Sequence, residues 1–129
     1  MKTRLEIIGA VIYGCEGSKT HERMIEIINS DYRIINTFMK YLIEIHDVKK
    51  EQIVLRLQLT DYHDEEICKN YWREITNHPN AKFQKSQIVK VNTNTKNHKR
   101  KEYGLCCLRV NSTMLFREII KCCDMVLIN

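Results

Sequence analysis

The sequence predicts an α+β fold, a single domain over 1–129 in which a mostly antiparallel sheet is covered on one side by helices. Three observations carry this expectation. Residues 52–60 alternate without a break, with Ile53, Leu55, Leu57 and Leu59 on one face and Gln52, Val54, Arg56, Gln58 and Thr60 on the other. That period of two marks a strand with one face in a core and one in water. Ile34, Ile35, Phe38, Met39, Leu42 and Ile43 recur instead at helical spacing. A length of 129 residues with 43% apolar and 29% charged composition suits one globular core, not two.

The first helix is read from 9–18, Gly-Ala-Val-Ile-Tyr-Gly-Cys-Glu-Gly-Ser. An interior glycine weakens a helix by about 1 kcal/mol, so one that keeps Gly9, Ala10 and Gly14 is expected to let another backbone come close. Glu16 places an anion at the negative end of the helix dipole, which calls for a compensating cation. Two readings stay open there. Either Gly17 is a left-handed cap with Lys19 neutralising Glu16, or Glu16 is the carboxylate of a metal site at the foot of a close-packed helix pair.

Residues 22–29 follow, with Met-Ile-Glu-Ile-Ile at their centre, and read as a strand over 23–29. Ser30 or Asp31 caps the second helix. Asp61 is expected to cap a third helix to about Asn77, with Ile67, Tyr71 and Ile75 inward and Trp72 in packing. Strands over 81–91 and 102–111 flank the basic run 92–101. The second of them places Gly104, Cys106, Leu108 and Val110 on one face, and Tyr103, Leu105, Cys107, Arg109 and Asn111 on the other. Ser112 caps a final helix carrying Leu115, Ile119, Ile120, Cys123 and Val126. The order is α-β-α-β-α-β-β-α.

Several function classes recede on composition. The cysteines at 15, 68, 106, 107, 122 and 123 include no CxxC pair, and neighbours 106 and 107 on a strand point to opposite faces, away from a shared zinc. They are expected to be reduced and mostly in the core. The opening Met-Lys-Thr-Arg-Leu-Glu does not read as a signal peptide, and no stretch approaches the roughly 18 apolar residues of a membrane span. A cytoplasmic protein without membrane contact is expected. No Gly-rich phosphate loop or Ser–His elbow is present. His21, His46, His63, His78 and His98 are expected at the surface.

The charge points to a polyanion. Between positions 82 and 101 there are seven Lys or Arg and no acid, while acids gather in 61–74. A polar sheet face left bare by the helices fits the DNA major groove, where Arg and Gln pair with guanine and adenine. Arg56, Gln58, Lys85, Gln87 and Arg109 are candidate contacts, joined by Lys96, Lys99, Arg100 and Lys101 of the basic run. The alternative for each is a solvated position.

Taken together, 7–18 resembles a degenerate LAGLIDADG motif, and Tyr-Gly-Cys-Glu-Gly-Ser-Lys at 13–19 resembles the YWGEGSK form of a divergent bacterial and archaeal branch of the LAGLIDADG homing endonucleases. Asn29-Ser30-Asp31, Arg-Leu-Gln-Leu at 56–59, Tyr71-Trp72, Phe83-Gln84-Lys85, Tyr103-Gly104 and Leu108-Arg109 extend the likeness over nearly the whole chain. The resemblance implies a saddle of antiparallel strands on double-stranded DNA and a magnesium-dependent nuclease hydrolysing phosphodiester bonds. By motif position the metal acid is Glu16, with the Cys15 carbonyl as second ligand, and Lys90 and Arg109 are the implied catalytic cations near the scissile phosphate. One motif copy implies a homodimer, with Gly9, Ala10, Tyr13 and Gly14 at the helix crossing. Val11 and the single strand between the first two helices depart from the family pattern. A silent DNA-binding or regulatory protein on the same fold, and an RNA-binding, maturase-like splicing factor, are the alternatives.

Overall fold

The computed structural model describes residues 3–90 and 102–127. Its elements are α1 (Arg4–Glu16), β1 (Ile25–Asn29), α2 (Tyr32–His46), a 3-10 turn (Lys50–Gln52), β2 (Val54–Thr60), α3 (Glu65–Ile75), β3 (Phe83–Val89), β4 (Leu105–Val110) and α4 (Thr113–Leu127). The α+β character and the order of elements match the expectation. The four strands form one mixed sheet in the order β1-β4-β2-β3.

β4 runs antiparallel to both its neighbours, but β2 and β3 are parallel. A parallel neighbour needs a crossover rather than a tight turn, and α3 supplies it. Strands β3 and β4 are therefore not a hairpin, because β2 lies between them.

The register sorts the side chains. Ile27 pairs with Leu108, which pairs with Leu55; Ile25 pairs with Val110, and Leu57 with Cys106. This face meets Tyr13 of α1, Phe38 and Leu42 of α2, Trp72 of α3 and Ile119 of α4 in one core. All four helices contribute to that core, so the opposite face keeps no helical cover among the described residues.

Side-chain caps fix most of the helix starts. Thr3 accepts from the Glu6 amide, Asp31 from Arg33, and Ser112 from Leu115. The third helix begins later than expected. His63 Nδ1 accepts from the Thr60 amide at 2.9 Å, which holds 61–63 in a turn and leaves Asp64 as the cap, accepting from Ile67 N. The buried face then turns by one residue: Cys68 and Trp72 are buried, while Ile67 is 59% exposed. Trp72 packs as expected and donates from Nε1 to the Tyr103 carbonyl at 3.0 Å, while Tyr71 stacks on Tyr103 at 3.8 Å.

Two histidines differ from the expectation. His78 is buried, and the His46 ring is buried edge-on to Tyr41 at 4.7 Å between centroids. The cysteines behave as small core residues at 68, 106 and 123, Cys107 is buried on the opposite side of β4, and Cys15 is exposed. No helix among the described residues is long and apolar enough to cross a membrane.

Candidate nucleic-acid interface

The uncovered face of the sheet is built in rows. Glu26, Arg109 and Val54 form the first across β1, β4 and β2. Ile28, Cys107, Arg56 and Gln84 form the second, and Leu105, Gln58 and Gln87 the third. Arg56 and Gln58 stand where the alternation places them.

β3 carries an irregularity that changes its face. Arg56 pairs with Gln84 and Gln58 with Gln87, so two residues, Lys85 and Ser86, stand opposite the single Leu57. A β-bulge of this kind shifts alternation by one residue. It brings Gln84 and Gln87 to the same face as Arg56 and Gln58. Ser86 turns inward and is buried, whereas Lys85 is exposed at the bulge. Strict alternation pairs Lys85 with Gln87 and misses Gln84; nothing in 83–89 announces the extra residue.

Arg109 is not a free cation. Its Nε lies 2.7 Å and its Nη2 2.6 Å from Glu26 Oε2, and both side chains are about four-fifths buried, at 21% and 20% exposure. Cys107 adjoins them, and burial together with Glu26 pushes its thiol up to about 12, so it keeps its proton at neutral pH. Arg56 makes no ion pair among the described residues. Its charge on this face is uncompensated.

The implied catalytic set does not assemble within one chain. Lys90 follows β3 at the far edge, three strand spacings or about 14 Å from β1, and the Arg109 guanidinium is held by Glu26 rather than Glu16. Lys96, Lys99, Arg100 and Lys101 lie outside the described residues.

Glu16 ends α1 and is exposed. Gly17 has extended angles, φ −77° and ψ 146°, in place of the expected left-handed cap, and its amide donates to the Tyr13 carbonyl at 2.9 Å. The compensating cation is Lys19, but it serves the helix carbonyls: Nζ donates to Gly14 O at 2.9 Å and Gly17 O at 3.3 Å. Tyr13, whose hydroxyl is pushed up to about 12 by burial, donates to the Ser18 carbonyl. Ser18 N donates to Glu26 O at 2.9 Å, and Gly17 bridges Ile27. These bonds fix Glu16 beside the β1 edge of the sheet. Among the described residues no three His, Cys, Asp or Glu converge as a metal-holding group.

The faces of α1 are assigned differently from the expectation. Gly9, Ala10 and Tyr13 are buried by the chain itself, and Gly14 is half-buried. A Cβ on Gly9 would lie 2.1 Å from carbons of the Tyr41 ring, and one on Gly14 2.5 Å from Leu127 Cδ1. The close approach read from the glycines is made by α2 and α4, which leaves Gly9, Ala10 and Tyr13 unable to form a helix crossing with a second copy. The outward side of α1 carries Ile7, Ile8 and Val11, at 43%, 37% and 37% exposure, and Cys15. A helix apolar on all sides is ordinarily buried on all sides.

Comparison with known proteins finds no family model, curated protein or solved structure that matches this chain.

Proposed function

We propose that this chain is a LAGLIDADG-type protein that binds double-stranded DNA as a homodimer, with Glu16 as the metal-binding acid of a site-specific endonuclease. The observation that carries the DNA reading is the bare sheet face, on which Arg56, Gln58, Gln84, Gln87 and Arg109 stand in adjacent rows on three strands. These are the side-chain types that pair bidentately with guanine and adenine in the major groove. The basic run between 82 and 101 adds a sequence-independent attraction to phosphate.

The dimer reading rests on Ile7, Ile8, Val11 and Cys15, a contiguous apolar stripe left exposed among the described residues. Two copies meeting on it would bring two Glu16 carboxylates to the same end of paired helices. A magnesium ion held there would polarise a phosphodiester oxygen and lower the pKa of a bound water. One feature favours the catalytically silent alternative: Lys19 already satisfies the carbonyls at the foot of α1, so this helix end is complete without metal.

The experiment is a plasmid-library cleavage assay in Mg²⁺ alongside duplex binding, with wild type and Glu16→Gln. Cleavage by wild type only, with equal binding by both, is the result expected. Binding without cleavage by either moves the protein to the silent class, and the absence of duplex binding at low salt removes the DNA reading.

A further inference from the structure

An acid on a surface meant for a polyanion, even on its edge strand β1, needs an explanation. Glu26 stands on the open sheet face, directly across from Arg109. The pair is about four-fifths buried, where desolvation offsets much of its mutual attraction, and a carboxylate facing phosphate opposes binding. The geometry of the pair gives it another use.

Arg109 Nε donates to Glu26 Oε2 at 2.7 Å, and Nη2 lies in ion-pair contact with the same oxygen at 2.6 Å. They occupy one side of the guanidinium. Nη1 has no partner among the described residues, so the terminal Nη1–Nη2 fork keeps its donors. That fork matches the O6 and N7 acceptors of guanine. The pair as a whole is neutral, so it offers directional donors without adding to the counterion release that phosphate contacts produce. A cation without an ion-pair partner suits a phosphate better, and among the described residues Arg56 in the next row is one. The row order thus separates a fixed, neutral reader from a free charge.

We infer that Glu26 is a positioning residue that holds Arg109 to read a guanine in the major groove, one in each half-site. The inference rests on the DNA-binding reading and adds base identity and a specificity device to it. Glu26 contributes no affinity of its own; it trades non-specific attraction for a locked rotamer, and without it Arg109 becomes one more phosphate contact.

The test is selection from a randomised duplex library with wild type, Glu26→Gln and Arg109→Lys, together with salt titrations of binding to an unrelated 30-base-pair duplex. Wild type should enrich one guanine per half-site. Glu26→Gln should weaken that preference by about 5- to 150-fold, the worth of one good bidentate pair. It should also bind the unrelated duplex more tightly, with a salt slope steeper by about one charge. Arg109→Lys retains a cation opposite Glu26 and has no fork, so it should fold as wild type and lose the guanine. An unchanged guanine preference in either variant overturns the inference while leaving DNA binding intact. Failure of wild type to bind any duplex overturns the DNA reading and the inference together.

Discussion

Gly9 shows how one residue can be legible in kind and not in partner. A glycine inside a helix signals that something comes close, and the structure places the Tyr41 ring there. Sequence cannot say whether the neighbour is a second copy or the same chain, because that depends on which helix α1 meets after the fold closes. Gly9→Ala should therefore destabilise the monomer by about 1–3 kcal/mol through overpacking, read as a lower urea midpoint with an unchanged slope. A wild-type midpoint would remove the assignment of this face to the core. His46 was unreadable for a related reason: its burial is created by Tyr41 and by Glu118 of α4, distant in sequence. Burial holds its pKa below the ordinary value and outweighs the pull of Glu118 and Glu6, so the ring is neutral in the folded protein at pH 7. The unfolded chain takes up the proton first, near pH 6.5. Stability carried by this site is full above that pH and falls as pH drops through 6.5 towards the folded value. His46→Gln should flatten the decline below pH 6.5 in denaturant melts; His78, similarly lowered by burial, keeps it from vanishing.

Elements with one strong period were legible, and those that depend on an insertion or a crossover were not. β2 alternates cleanly, so its buried face follows from the residues themselves, whereas β4 buries Cys106, Cys107 and Leu108 in a row. β3 does not alternate, because its bulge at Lys85–Ser86 moves Gln84 to the open face, and a bulge has no obligatory residue type. The parallel pairing of β2 with β3 follows from α3 acting as a crossover, a property of chain path rather than composition. α1 is the element whose outer face remains unaccounted for within one chain. If that face is the dimer contact, Val11→Glu should yield a folded monomer in sedimentation experiments, with the far-ultraviolet spectrum retained. A dimer that persists in Val11→Glu would place the contact elsewhere, and a wild-type monomer at all concentrations would remove it.

At the scale of the molecule, helices crowd one side of the sheet, and the other mixes Glu26, Arg56, Gln58, Gln84, Gln87 and Arg109 with Ile28, Val54, Leu105 and Cys107. That asymmetry was legible from the alternation of 52–60 and 103–110 alone. The foot of α1 was legible as far as Glu16 and Lys19, and the structure adds that the Lys19 ammonium meets the helix carbonyls. The central claim is that the bare sheet face meets DNA, and Arg56 is a cation on it without an ion pair among the described residues. The most direct measurement is the salt dependence of duplex binding by fluorescence anisotropy, comparing wild type, Arg56→Gln, and Lys40→Gln on the exposed side of α2. The account expects wild-type affinity to fall steeply with salt, Arg56→Gln to bind more weakly with a slope reduced by about one charge, and Lys40→Gln to match wild type. Equal losses from Arg56→Gln and Lys40→Gln, or none from Arg56→Gln, would contradict it.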